Sequence, residues 1–186
     1  SAKLGAIGSA LLLMALASIG LTLWVTWQLE GGAAAVNEAG RMRMQTWRMA
    51  QTLAREDTQQ MARLLTQFDD SVSVLRTGDP ARPLLVPHDD LSQQAFAAVQ
   101  RDWSTLKSTW TALPAPGADR SAQQADAFVA RIDTFVTAIE QHLSRLTAIL
   151  NAVQFVMVAL TIGSAIALLY SAYLFIFNPL ARLQAG

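Results

Sequence analysis

Arg43 is the residue of this sequence whose surroundings most call for a chemical explanation. Helical geometry of about 100° per residue gathers Asn37, Glu38, Arg41, Gln45, Arg48, Gln51, Thr52 and Arg55 onto one arc between Ala33 and Ala54. The remaining arc carries Val36, Ala39, Gly40, Met42, Met44, Trp47, Met49, Ala50 and Leu53, with Arg43 in its middle. An unpaired charge in such a stripe is costly to desolvate. The stripe is wider than one neighbouring helix covers, so a second protomer is expected against it. In a two-fold homodimer each Arg43 meets its symmetry mate, and the two repel unless an anion lies between them. The planar guanidinium fork suits planar oxyanions, and Ala39 and Gly40 leave room for a small one. Nitrate, nitrite, bicarbonate and chloride all meet that geometry. The competing reading is an Arg43 that snorkels to a membrane surface or pairs with an acid on another helix.

Other chemistries find less support. Arg41 and Arg48 lie seven apart on the polar arc, with Glu38 three residues before Arg41, as on a solvated helix face. Met42, Met44 and Met49 fit packing better than cofactor contact. A metal centre in a helical bundle needs several inward Glu and Glu-x-x-His motifs; His88 and His142 have no such spacing. No nucleophile elbow with its base is present. With 14 basic and 14 acidic residues the chain has no electrostatic reason to seek nucleic acid, and without Cys it has no thiol chemistry. No cofactor and no enzymatic activity are expected in these residues.

The elements that would position Arg43 follow from the charge pattern. No residue is charged between Lys3 and Glu30, or between Arg145 and Arg182. About 20 apolar helical residues cross a bilayer, so 4–29 and 152–177 read as transmembrane helices. The first exceeds the roughly 7–15 apolar residues of a cleaved leader. A middle of more than about 60 residues is translocated largely regardless of its charge, which puts 30–151 in the periplasm and both termini in the cytoplasm of a bacterial inner-membrane protein.

Within 30–151, Pro and Gly cluster at Gly78 to Pro87 and Pro114 to Gly117, and helical patterns fill the rest. The pattern from Ala33 to Thr77 is much longer than its partners and is expected to break near Ala54 to Asp57, where Asp57 and Gln60 form a capping-box pattern. A chain that leaves the membrane and returns needs an even number of antiparallel helices. The predicted fold is all-α, an up-down four-helix bundle whose first and last helices continue into the spans. Only Gly31-Gly32 softens the first junction.

The stretch from Ala35 to Met49 resembles the periplasmic P-box of nitrate/nitrite sensor histidine kinases of the NarX/NarQ type, through Asn37, Ala39, Gly40, Arg43, Met44, Gln45 and Arg48. The sequence departs from that pattern at Arg41-Met42, where Ser-Leu is usual, and at Thr46-Trp47, where Ser-Tyr is usual. The resemblance implies that Arg43 of both protomers grips one nitrate or nitrite. Gly40, Ala39, Asn37 and Trp47 would complete the site. It also implies a cytoplasmic kinase acting on a response regulator, reached through a HAMP linker whose start resembles Asn178 to Leu183. The alternatives are a type IV pilus-class chemoreceptor, which shares the plan but feeds a methylated coiled coil, and a membrane-anchored structural bundle with no small ligand.

Overall fold

The computed structural model describes residues 2–79 and 81–173, which form four helices: α1 (Ala2–Ala54), α2 (Thr58–Thr77), α3 (Asp90–Trp110) and α4 (Ala118–Ala172). The expected all-α fold is present, with isolated bridges from Asp79 to Arg82 and Leu84 as the sole β pairing among the described residues. The chain divides into two compact units, Ser1–Val25 with Thr147–Gly186, and Thr26–Leu146.

The first unit holds the apolar ends of α1 and α4. Leu13, Leu16 and Leu23 of α1, and Phe155, Val156 and Leu169 of α4, are exposed. Both helices are long and apolar enough to cross a membrane, and a bilayer removes such surface from water at about 25 cal/mol per Å². The chain is a membrane protein. The last residues of the second expected span, 174–177, and the HAMP-like 178–186 lie outside the described residues.

The second unit is the bundle, and its contacts define the order of its helices. Arg43 and Gly32 of α1 meet Asp133 and Leu143 of α4, while Arg41 of α1 reaches Ser71 of α2. Asp69 of α2 meets Lys107 of α3, and Phe96 and Trp110 of α3 meet Phe135 and Gln124 of α4. Each pairing runs antiparallel, as an up-down bundle requires.

Capping sets the corners. The α1–α2 corner closes with Asp57 N–H donating to Thr52 O at 3.3 Å and Glu56 in the left-handed region at φ 56°, the six-to-one bond of a Schellman turn. Asp57 then caps α2, its carboxylate accepting from Gln60 N–H at 2.9 Å. Gly78, at φ 78°, ends α2 with its N–H on Val74 O. Asp89 starts α3, accepting from Ser92 N–H at 3.1 Å.

Buried side chains recur at spacings of three and four on every helix, the period of knobs-into-holes packing. Met61, Leu64, Phe68, Ser71, Val72 and Leu75 line the seam on α2; Ser92, Phe96, Val99, Trp103, Leu106 and Trp110 line it on α3. On α4 the set is Ser121, Ala125, Phe128, Ile132, Phe135 and Ile139. Phe68 and Trp103, with ring centroids 4.0 Å apart, fill the middle.

On α1 the buried face is Ala35, Glu38, Ala39, Met42, Gln45, Thr46, Met49 and Ala50. This corrects the helical projection, which set Glu38 and Gln45 on the solvent side and Met44 and Trp47 on the packed side. Glu38 is drawn inward by its partners. Only 3% exposed, it accepts from Arg41 and from Arg82 of the α2–α3 loop at 3.4 Å, while Arg41 also donates to the Ser71 hydroxyl at 3.1 Å. Gln45 is buried with its carbonyl oxygen unpaired among the described residues.

The glycine pair is a packing device within an unbroken helix and not a soft joint. A Cβ at Gly32 would lie 2.7 Å from the Leu143 side chain, and one at Gly31 would lie 3.1 Å from Leu85, whose N–H donates to Gly31 O at 3.2 Å. The absent side chains let α4 and the α2–α3 loop approach α1 closely.

Two measurements check these ties. Glu38→Ala strips Arg41 and Arg82 of their shared buried acceptor and is expected to cost about 2 kcal/mol in chemical denaturation, whereas Arg82→Ala, which spares the Arg41 contact, should cost under about 1 kcal/mol. At Asp89, burial pushes the carboxyl up, but hydrogen bonding from Ser92 and the His142 charge outweigh burial and hold it below its ordinary 3.8. A depressed acid stabilises the fold above its unfolded value, and the contribution disappears as pH falls through the folded value. Melting temperature should therefore drop on acidification below about 3.8, and Asp89→Asn should flatten that drop.

Candidate functional site

The residues singled out in α1 divide between two faces. Ala39 is fully buried in the bundle's own core, beside Met42, and so does not line an outer surface. Asn37, Met44 and Trp47 are exposed on the outer side, with Gly40 partly exposed beside them, and Arg43 lies at the border between that side and the packed face. Met44 is 48% exposed and Trp47 37%, large apolar surface on a helix whose other side is closely packed. The outer strip of α1 thus holds Asn37, Gly40 and Trp47, with Arg43 at its edge.

Arg43 is not a lone charge. Its Nη1 donates to Asp133 Oδ1 of α4 at 2.7 Å, with the two side chains 40% and 50% exposed. This is the pairing with an acid on another helix that stood as the competing reading. Because both partners are half in water, the pair contributes at most about 1 kcal/mol to stability and its geometry is easily rearranged. The Nη2 side of the fork faces Gly40, where a Cβ would lie 3.7 Å from it. Guanidinium carries five N–H donors, and among the described residues Asp133 is its only hydrogen-bond acceptor.

The remaining polar groups act as ties. Arg41, read as a solvated-face residue, joins Glu38 and Ser71. Trp103 Nε1–H donates to Asp69 Oδ1 at 2.8 Å, and Lys107 reaches Asp69 Oδ2 at 2.5 Å. His142 Nδ1 lies 3.1 Å from Asp89 Oδ1 and His88 is exposed. Among the described residues no three His, Cys, Asp or Glu side chains come together as a metal site. Asp133 and Arg82 are the residues that sequence reasoning missed: each meets its partner across helices or from a loop, and the register between antiparallel helices has no signature within either strand of sequence.

Comparison with known proteins adds the family. Residues 24–128, from the α1 segment before Gly31 through α2 and α3 into α4, match the type IV pili methyl-accepting chemotaxis transducer N-terminal domain. No curated protein matches the chain. The match favours the chemoreceptor alternative over the nitrate/nitrite sensor kinase to which the P-box residues pointed, and it describes a sensor rather than a catalytic domain. Covering more than half of a chain with a membrane-length apolar helix at either end, it shows that the protein belongs to the family of type IV pili methyl-accepting chemotaxis transducer N-terminal domains.

Proposed function

We propose that the chain is the sensing portion of a transmembrane chemoreceptor, with the bundle outside the inner membrane and an output module on the cytoplasmic side. The family match over 24–128 carries this reading. Its support is that the match begins within α1 and ends within α4, the two helices able to span a bilayer. In such a receptor a ligand acts by favouring one packing of the bundle over another, and only the difference in its affinity for the two states drives the signal.

A second reading, the ligand, rests on the outer strip of α1. Arg43 and Gly40 sit in a row with Asn37, Met44 and Trp47, in the spacing that resembles a nitrate-binding P-box. Exposed Met44 and Trp47 make this strip suitable for burial against a second copy of α1. A planar oxyanion, nitrate or nitrite, would then draw each Arg43 from Asp133 and sit between the two guanidinium groups. Release of Asp133 would tell α4 that α1 has bound its ligand.

Three outcomes follow. The sequence has no Cys, so a single Leu113→Cys should be labelled by a membrane-impermeant maleimide in spheroplasts; protection there and labelling only after lysis would reverse the orientation. The full-length protein should gain carboxyl-methyl groups when incubated with a receptor methyltransferase, and histidine autophosphorylation without methylation would return the output to the kinase class. Nitrate binding by calorimetry should fall at least tenfold, about 1.4 kcal/mol, in Arg43→Ala and also fall in Arg43→Lys, which lacks the bidentate fork. Unchanged nitrate affinity in Arg43→Ala would sink the anion site.

A further inference from the structure

A second binding site lies at the end of the bundle where the α1–α2 and α3–α4 corners meet. Between them is a half-open cavity of about 670 Å³, walled by Leu53, Met61, Leu65, Trp110 and Pro114. That volume falls within the range of small-molecule pockets. Its charge is one-sided: Glu56 and Asp57 line it, and no Lys, Arg or His does.

The two acids are not equivalent. Asp57 is engaged, its carboxylate capping α2 through Gln60 N–H. Glu56 has no hydrogen bond or ion pair from its side chain among the described residues. Yet it occupies the left-handed position of the α1–α2 turn, at φ 56°. In that conformation Cβ crowds the following carbonyl oxygen, which is why glycine is the usual residue there. An exposed carboxylate with no hydrogen bond or ion pair among the described residues, lining an otherwise apolar cavity, is placed to meet a cation from outside.

We infer that this cavity binds a small organic cation with an apolar body, such as an aromatic or branched quaternary or primary amine. The apolar body would displace water from the half-buried Leu53 and Leu65 while the cationic head faces Glu56. Because the two corners belong to different helical hairpins, a bound molecule would hold α1–α2 against α3–α4. This site is separate from the Arg43 strip and stands whether or not an anion binds there.

The test uses the full chain in phosphatidylcholine nanodiscs, titrated calorimetrically with benzyltrimethylammonium, benzyl alcohol and benzoate. The cation should bind at least tenfold more tightly than benzyl alcohol, and benzoate should bind more weakly still. Glu56→Gly relieves the backbone and should raise the melting temperature while bringing cation and alcohol within twofold of each other. Leu65→Trp, which fills the cavity, should abolish binding of both. Absence of cation binding, or a cation preference that survives Glu56→Gly, overturns the proposal. So does unaltered binding in a Leu65→Trp protein that melts like the parent.

Discussion

The rotation of α1 about its own axis governs the rest of the bundle. Met42 and Met49 sit at the centre of its buried face, and this carries Glu38 and Gln45 inward and turns Met44 and Trp47 out. Burying the Glu38 carboxylate is tolerable only because Arg41 and Arg82 converge on it, since an ionised group taken from water without partners is strongly destabilising. Those same partners hold the α2–α3 loop and Ser71 of α2 against α1. One buried acid therefore fastens three elements and, by fixing the rotation, decides which side chains remain outside.

Arg43 lies at the border between the two faces. It is near enough to α4 to meet Asp133 and exposed enough to reach something else. A fully buried Arg43–Asp133 pair would be a permanent tie, while this half-solvated one can exchange its acceptor at little cost. That is the property the proposed anion site requires of Arg43. The Gly32 contact with Leu143 couples α1 to α4 in the opposite manner, through shape alone. The α1–α4 pair is thus rigidly packed at Gly32 and polar and adjustable at Arg43.

Legibility in the sequence varied with the range of the interaction. Helix ends were readable because their signals are local: Asp57 with Gln60, the Gly78 stop and the Pro-rich segment after Thr111 all act within a few residues. The two apolar segments were readable from composition. The inward face of α1 was not, because polarity misleads where polar side chains find partners inside. Glu38 counts as a solvent residue until Arg82 is brought beside it from a loop 44 positions away. Asp133, 90 positions from Arg43, was hidden for the same reason.

The sequence by itself determined the all-α class, the membrane-length ends and the corner at Ala54 to Asp57, since each depends on spacing, capping or hydropathy along a single strand of chain. Tertiary structure alone decided that Ala39 belongs to the core, that Glu38 is buried and that Arg43 already holds an acid. It also placed Glu56 at the rim of a cavity formed with the distant 110–118 segment. These are relations between segments, fixed by how four helices rotate and slide to close one seam, and that choice is made by the summed packing of all four.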